Sequence, residues 1–149
     1  MELTLRPMTV ADEEMLYEWR RDQWVIHNSV AQTEPTREQH KAWMLERMFH
    51  PHYKVLMVEL KGETVATCTL RVKGDRVVEL AYMVHHAKRS LGIATQLAKD
   101  VGRFMAFFGF SVDVLIREEN EPSIKVAKKA GFSEVASESE GFREFRRAP

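Results

Sequence analysis

The stretch from His85 to Leu97, HHAKRSLGIATQL, sets two histidines and two cations ahead of a lone glycine and a run with helical apolar spacing. A strand ending near His85 and a helix opening near Leu91 leave a loop, His86 to Ser90, between them. The N–H groups of a helix's first turn have no partner inside the helix, and the helix dipole adds partial positive charge there. Gly92 lets a ligand approach the backbone with no Cβ in the way, and Lys88 and Arg89 bring full charges beside it. Such a start can hold a diphosphate. It can equally be an ordinary turn, since one glycine and two cations open many surface helices.

Other residues invite metal or nucleic-acid chemistry and do not sustain it. His85 and His86 are adjacent at a strand end, so their side chains point to opposite faces and cannot easily grip one ion. The pair His50 and His52 lacks a third partner. No metal is expected. The tail FREFRRAP is basic, but the acids of SESEGFRE balance it, and over the whole chain 22 Lys and Arg meet 22 Asp and Glu. A dedicated nucleic-acid binder normally carries a basic excess, so none is expected as a partner.

The chain of 149 residues suits a single domain spanning residues 1–149, and 44% hydrophobic with 30% charged content belongs to soluble folded proteins. No apolar run approaches the roughly 20 residues of a membrane span. The N-terminus shows no secretion signal. The single Cys68 cannot pair internally, which fits a reducing, cytoplasmic setting. Membrane association is not expected, and a monomer or homodimer is.

The elements that must position these residues follow from pattern. LTLRPM reads as a first strand, followed by a helix from Val10 with Asp12 in its first turn and Met15, Leu16 and Trp19 on its apolar side. RDQWVIHNSVAQTEP shows no clear period. Thr36 and Gln39 form a capping box for a second helix carrying Trp43, Met44 and Met48. YKVLMVEL and TVATCTLRV form a hairpin about KGE, and RVVELAYMV is a third strand beside them. The next helix runs from Leu91 to Phe108, with Ala94, Leu97, Ala98, Val101, Met105 and Phe108 on its apolar side. SVDVLI is a buried strand, NEPSIKVAKKAGF a short helix stopped at Gly131, and SEVAS and FREFRR close the chain. The result is an α/β protein whose central sheet lies under about four helices.

In this order of elements the sequence resembles the GCN5-related N-acetyltransferase (GNAT) superfamily. RSLGIA, from Arg89 to Ala94, is similar to that family's Arg/Gln-x-x-Gly-x-Gly/Ala loop at each defined position, and Asn120 to Phe132 is similar to its second half. The resemblance implies a mixed, mostly antiparallel sheet of six or seven strands, splayed at strands 4 and 5. It implies acetyl transfer from acetyl-coenzyme A directly to an amine, with the N–H groups of Ser90, Leu91, Gly92, Ile93 and Ala94 on the diphosphate and Arg89 flanking it. The pantetheine arm would run beside Met83 and Val84, and Asn120 would bond its amides or the neighbouring strand. A free N–H near Met83 would polarise the thioester carbonyl.

For the proton traffic, Glu79 is the first candidate for taking the amine's proton. It shares a strand face with Ala81 and Met83, but lies roughly 13 Å from Met83, so it would act through water. Many family members carry a tyrosine seven residues after the Asn to protonate the leaving sulfur. Here that position is Ala127, and Ser123 is the candidate substitute, with simple helix capping as its other reading. Trp24, His27 and Asn28, in the aperiodic segment, are candidates for binding the amine. The Trp-Arg pair and TREQHKAW are similar to the branch that acetylates nucleotide-linked amino sugars. Acetylation of a protein N-terminus, as in the ribosomal-protein branch, acetylation of a free small amine, and a non-catalytic acyl-coenzyme A binding module are the alternatives.

Overall fold

A computed structural model describes residues 1–149. Seven strands form one sheet: β1 (Leu3–Pro7), β2 (Tyr53–Leu60), β3 (Glu63–Gly74), β4 (Val77–Val84), β5 (Ser111–Arg117), β6 (Ser133–Val135) and β7 (Phe142–Arg147). Their order is β1-β2-β3-β4-β5-β7-β6, antiparallel throughout except for the parallel pair β4 and β5. The β2–β3 hairpin turns on Lys61 and Gly62, both at positive φ (52° and 80°), which matches the twist of the strands it joins.

The helices are α1 (Glu13–Arg20), α2 (Gln23–Asn28), α3 (Arg37–Phe49), α4 (Ile93–Phe107) and α5 (Glu121–Lys129). The sequence reading expects about four; the addition is α2, which lies in the segment without a clear period. Six residues are too few to display one. Its start is fixed by Asp22, whose side chain accepts from the N–H groups of Trp24 and Val25. Arg117 then donates to the carbonyls of Ser29 and Val30, both at 2.9 Å, and pins the chain leaving α2.

Two other boundaries differ from expectation. Val10–Asp12 is a 3-10 turn preceding α1, with Asp12 bonded to Arg6 at 2.7 and 2.9 Å. The helix expected from Leu91 opens at Ile93, because Gly92 at φ 83° cannot belong to a right-handed helix. Phe108 is not on the apolar face: it follows the helix end, is exposed, and packs edge-on against the exposed Phe104 and Phe107.

The sheet separates two cores. Under α4 and α5 lie 18 buried residues, among them Ile93, Leu97, Ile124, Leu80 and Phe145. Under α1 and α3 lie six, including Leu16, Trp19, Met44 and Met57. The sheet's centre is pinned by Asp113 of β5, whose buried carboxylate accepts from Lys73 of β3 at 2.8 Å and from Arg146 of β7 at 2.6 and 2.8 Å. No helix is long and apolar enough to cross a membrane.

Candidate functional site

β4 and β5 pair only over Val77–Ser111, Val78–Val112 and Glu79–Asp113. Beyond Asp113, β5 stays paired with β7 as far as Arg117, while β4 stays with β3 as far as Val84. The two strands therefore part, leaving a gap between Leu80–Val84 on one side and the end of β5 on the other. The splay expected from the resemblance is present.

Which amides face the gap follows from the ladder. His85 donates to the Val65 carbonyl at 2.9 Å, and Met83 lies opposite Thr67. Backbone groups of an antiparallel strand alternate sides, so Met83 turns its N–H to β3, and Tyr82 and Val84 turn theirs to the gap. The free amide expected near Met83 thus belongs to its two neighbours.

The loop after β4 presents a second set of free amides. No N–H from Ser90 to Ala94 donates a hydrogen bond within the chain. Ser90 and Gly92 both have positive φ (64° and 83°), which turns successive N–H groups outward at the start of α4. A Cβ built on Gly92 would meet nothing within 4 Å, so the approach to these amides is open. Ile93 is buried in the larger core and anchors the helix start, whereas Leu91 is exposed. Ser90 holds a conformation costly for a residue with a side chain, as happens at sites where backbone geometry is functional.

Arg89 lies at this loop but is already engaged: its Nη2 donates to Asp22 Oδ1 at 3.0 Å. Burial pushes the Asp22 carboxyl up, and the bonds from Arg89 and the Val25 N–H outweigh it and hold the pKa below the usual value. Across the gap, Asn120 is buried and caps α5 by accepting from the Ser123 N–H at 3.3 Å. Ser123, one turn before the buried Ala127, is half-buried.

Glu79 stands at the closed end of the gap, opposite Asp113, with Arg71 Nη2 at 3.2 Å from its carboxylate. Its face is that of Met83, which packs against the smaller core.

A cleft of about 350 Å³ opens between α1 and the end of β4, lined by Glu18, Trp19, Arg21, Asp22, His85 and His86. Burial, reinforced by His86, Arg89 and Lys88, pushes the His85 pKa down, so its ring is uncharged at neutral pH. The ring packs 5.1 Å from Trp19, and its Nδ1 accepts from the Ala87 N–H at 3.3 Å.

Trp24, His27 and Asn28 do not line this cleft. Positions 24, 27 and 28 share one helix face. Val25, on another face of α2, lines the narrower hollow that adjoins the cleft and that Met83, Val84 and Arg89 also line. Asn28 instead donates to the Trp24 carbonyl at 2.9 Å. TREQHKAW is used internally: Arg20 lies over Trp43 at 4.3 Å and donates to His40 Nδ1 at 2.9 Å, while His40 Nε2 donates to the Glu13 carbonyl. Glu18, Asp22 and Tyr82 escaped the sequence reading. Only the Asp22 cap has a local signal, an Asp just before a helix. No group of three or more His, Cys, Asp or Glu is placed to hold a metal ion.

Residues 2–133 match the family model described as the acetyltransferase (GNAT) domain. No curated protein matches the sequence. Among solved structures, a domain from Methanocaldococcus jannaschii is 18% identical with a TM-score of 0.86, covering 99% of both chains. The aminoglycoside acetyltransferase AAC(6')-Ib, in complex with coenzyme A and kanamycin, is 19% identical with a TM-score of 0.82, over 99% of this chain and 95% of that one. RimL, a ribosomal alpha-N-protein acetyltransferase in complex with coenzyme A, is 14% identical with a TM-score of 0.83, over 98% and 93%. With the family model spanning nearly all of the sequence, and the parted strands and open loop standing where that fold needs them, the chain belongs to the GNAT acetyltransferase family.

Proposed function

We propose that the protein transfers the acetyl group of acetyl-coenzyme A directly to a primary amine on a small molecule, an amino sugar or its nucleotide-linked form being the favoured acceptor. The observation that carries this reading is the run of free amides from Ser90 to Ala94, set beside the gap between β4 and β5. Those amides would take the diphosphate, with Arg89 beside it, and the arm would lie in the gap against Val84, Met83 and Asn120. The Val84 and Tyr82 amides would polarise the thioester carbonyl.

The amine would enter by the cleft of Trp19, His85 and the two acids Glu18 and Asp22, whose charge attracts an ammonium group. A small acceptor suits the volume of that cleft, and a kanamycin-bound relative shares the fold. Fixing donor and amine in one geometry supplies much of the acceleration. Glu79, whose carboxylate lies 3.2 Å from Arg71 Nη2, would receive the amine's proton through water.

The test is thiol release from acetyl-coenzyme A across a panel of amino sugars, nucleotide-linked amino sugars, polyamines and peptides, with calorimetry of coenzyme A binding. Turnover with the sugars above the others is the expected result. Turnover confined to peptides would replace the acceptor assignment, and coenzyme binding without turnover on any amine would leave only a binding module.

A further inference from the structure

The Tyr82 hydroxyl is buried and has no hydrogen-bond partner in the chain. Buried phenols normally find one. The Ser123 hydroxyl is near enough to pull on the phenol's titration but does not meet hydrogen-bond geometry, which leaves the Tyr82 hydroxyl open to a partner from outside. Tyr82 projects from the part of β4 that has separated from β5, on the face opposite Glu79 and Met83, and its ring packs against the core under α4 and α5. That is the face on which α4 presents its free amides. A thioester arm entering from α4 would therefore reach the gap on the Tyr82 side, while the amine comes from the Glu79 side. Ser123 of α5 lies within reach of the Tyr82 hydroxyl, and the buried Ala127 stands one turn further on in the core that the ring packs against.

We propose that Tyr82 is the proton donor to the leaving coenzyme A sulfur. The proposal rests on the acetyl-transfer reading and deepens it. As the new C–N bond forms and the C–S bond breaks, the bonding pair stays on sulfur and the phenolic proton moves to it. The phenolate then takes up a proton equivalent to the one the amine gave up, by way of water and the Ser123 hydroxyl. The thiol and the amide leave, and Tyr82 is restored. Burial pushes the phenol pKa up, against a smaller opposing pull from Ser123, so the proton is in place at neutral pH and its loss shows only at the alkaline end of the rate profile. The same dry setting raises the basicity of a thiolate formed beside it.

Tyr82→Phe removes one oxygen and keeps the ring. Expected is a fall in kcat of about 100-fold, with the coenzyme A Kd within about twofold of wild type and the alkaline limb of the kcat profile abolished. Substituting 3-fluorotyrosine at position 82 keeps the packing and makes the hydroxyl more acidic, so the alkaline limb should move to lower pH even if the Phe variant folds poorly. A Tyr82→Phe enzyme with wild-type kcat, a loss appearing only in coenzyme Kd, or an alkaline limb unmoved by fluorination overturns the proposal. Wild-type protein that releases no thiol with any amine overturns the acetyl-transfer reading instead.

Discussion

Asp22 Oδ1 accepts from Arg89 at 3.0 Å and from the Trp24 N–H at 2.9 Å, so one oxygen joins the loop after β4 to the first turn of α2. Arg89, which the proposed function sets beside the diphosphate, is thereby bonded to the N-cap of the helix whose Val25 lines the hollow adjoining the cleft. Asn caps a helix as well as Asp does, which separates the two roles. Asp22→Asn should keep α2 by circular dichroism and leave the coenzyme A Kd unchanged or lower, because Arg89 is released. Arg89→Ala should raise that Kd about tenfold, the cost of a charge-assisted bond. Calorimetry on both variants checks the pair, and an Asp22→Asn protein that binds coenzyme A ten times more weakly would show that Arg89 needs its acid.

Gly92 sits at φ 83° with open space where a Cβ would point. Gly92→Ala should cost about 1–2 kcal/mol of stability from the left-handed backbone alone. Gly92→Asn should cost less, since Asn tolerates that region. Both should weaken coenzyme A by at least tenfold, so affinity and Tm part company in the Asn variant.

For Glu79, the pH dependence of kcat/KM decides. Glu79→Gln should lower the rate about 100-fold and change the shape of the profile. A profile identical to wild type at any rate would leave Glu79 as the partner of Arg71 and nothing more.

Asp113 bears on stability rather than turnover. Burial pushes its carboxyl up, but the bonds from Arg146 and Lys73 prevail and hold its pKa below the ordinary value of 3.8. A depressed folded pKa adds stability above the unfolded value, which disappears as pH falls through the folded one. Tm should therefore drop on acidification from about pH 4 downward, and less steeply in Asp113→Asn. Asp113→Ala should cost about 3 kcal/mol, since it leaves Arg146 without its carboxylate and Lys73 with Glu144 alone.

The sequence made the conformation of the proposed coenzyme side readable because that side is built of backbone. Arg89 to Ala94 and Asn120 to Phe132 are contiguous stretches whose glycines and caps announce their conformations, and strand alternation placed Glu79 and Met83 on one face. The acceptor side depended on a helix too short to show a period. Trp24, His27 and Asn28 read there as candidate lining, and the short α2 sets them on one face while Val25, on another, lines the hollow beside the cleft. Tyr82 looked like any aromatic in a buried strand. Its significance is an unmet hydrogen bond, which no local pattern reveals.

The two cores are unequal, and rigidity should follow them. With six buried residues beneath α1 and α3 against 18 beneath α4 and α5, the layer bordering the cleft has far less apolar area resisting its opening. Amide exchange should be quicker there than in α4. On the proposed function, such a division would let one half of the molecule breathe to admit and release acceptors while the other keeps its grip.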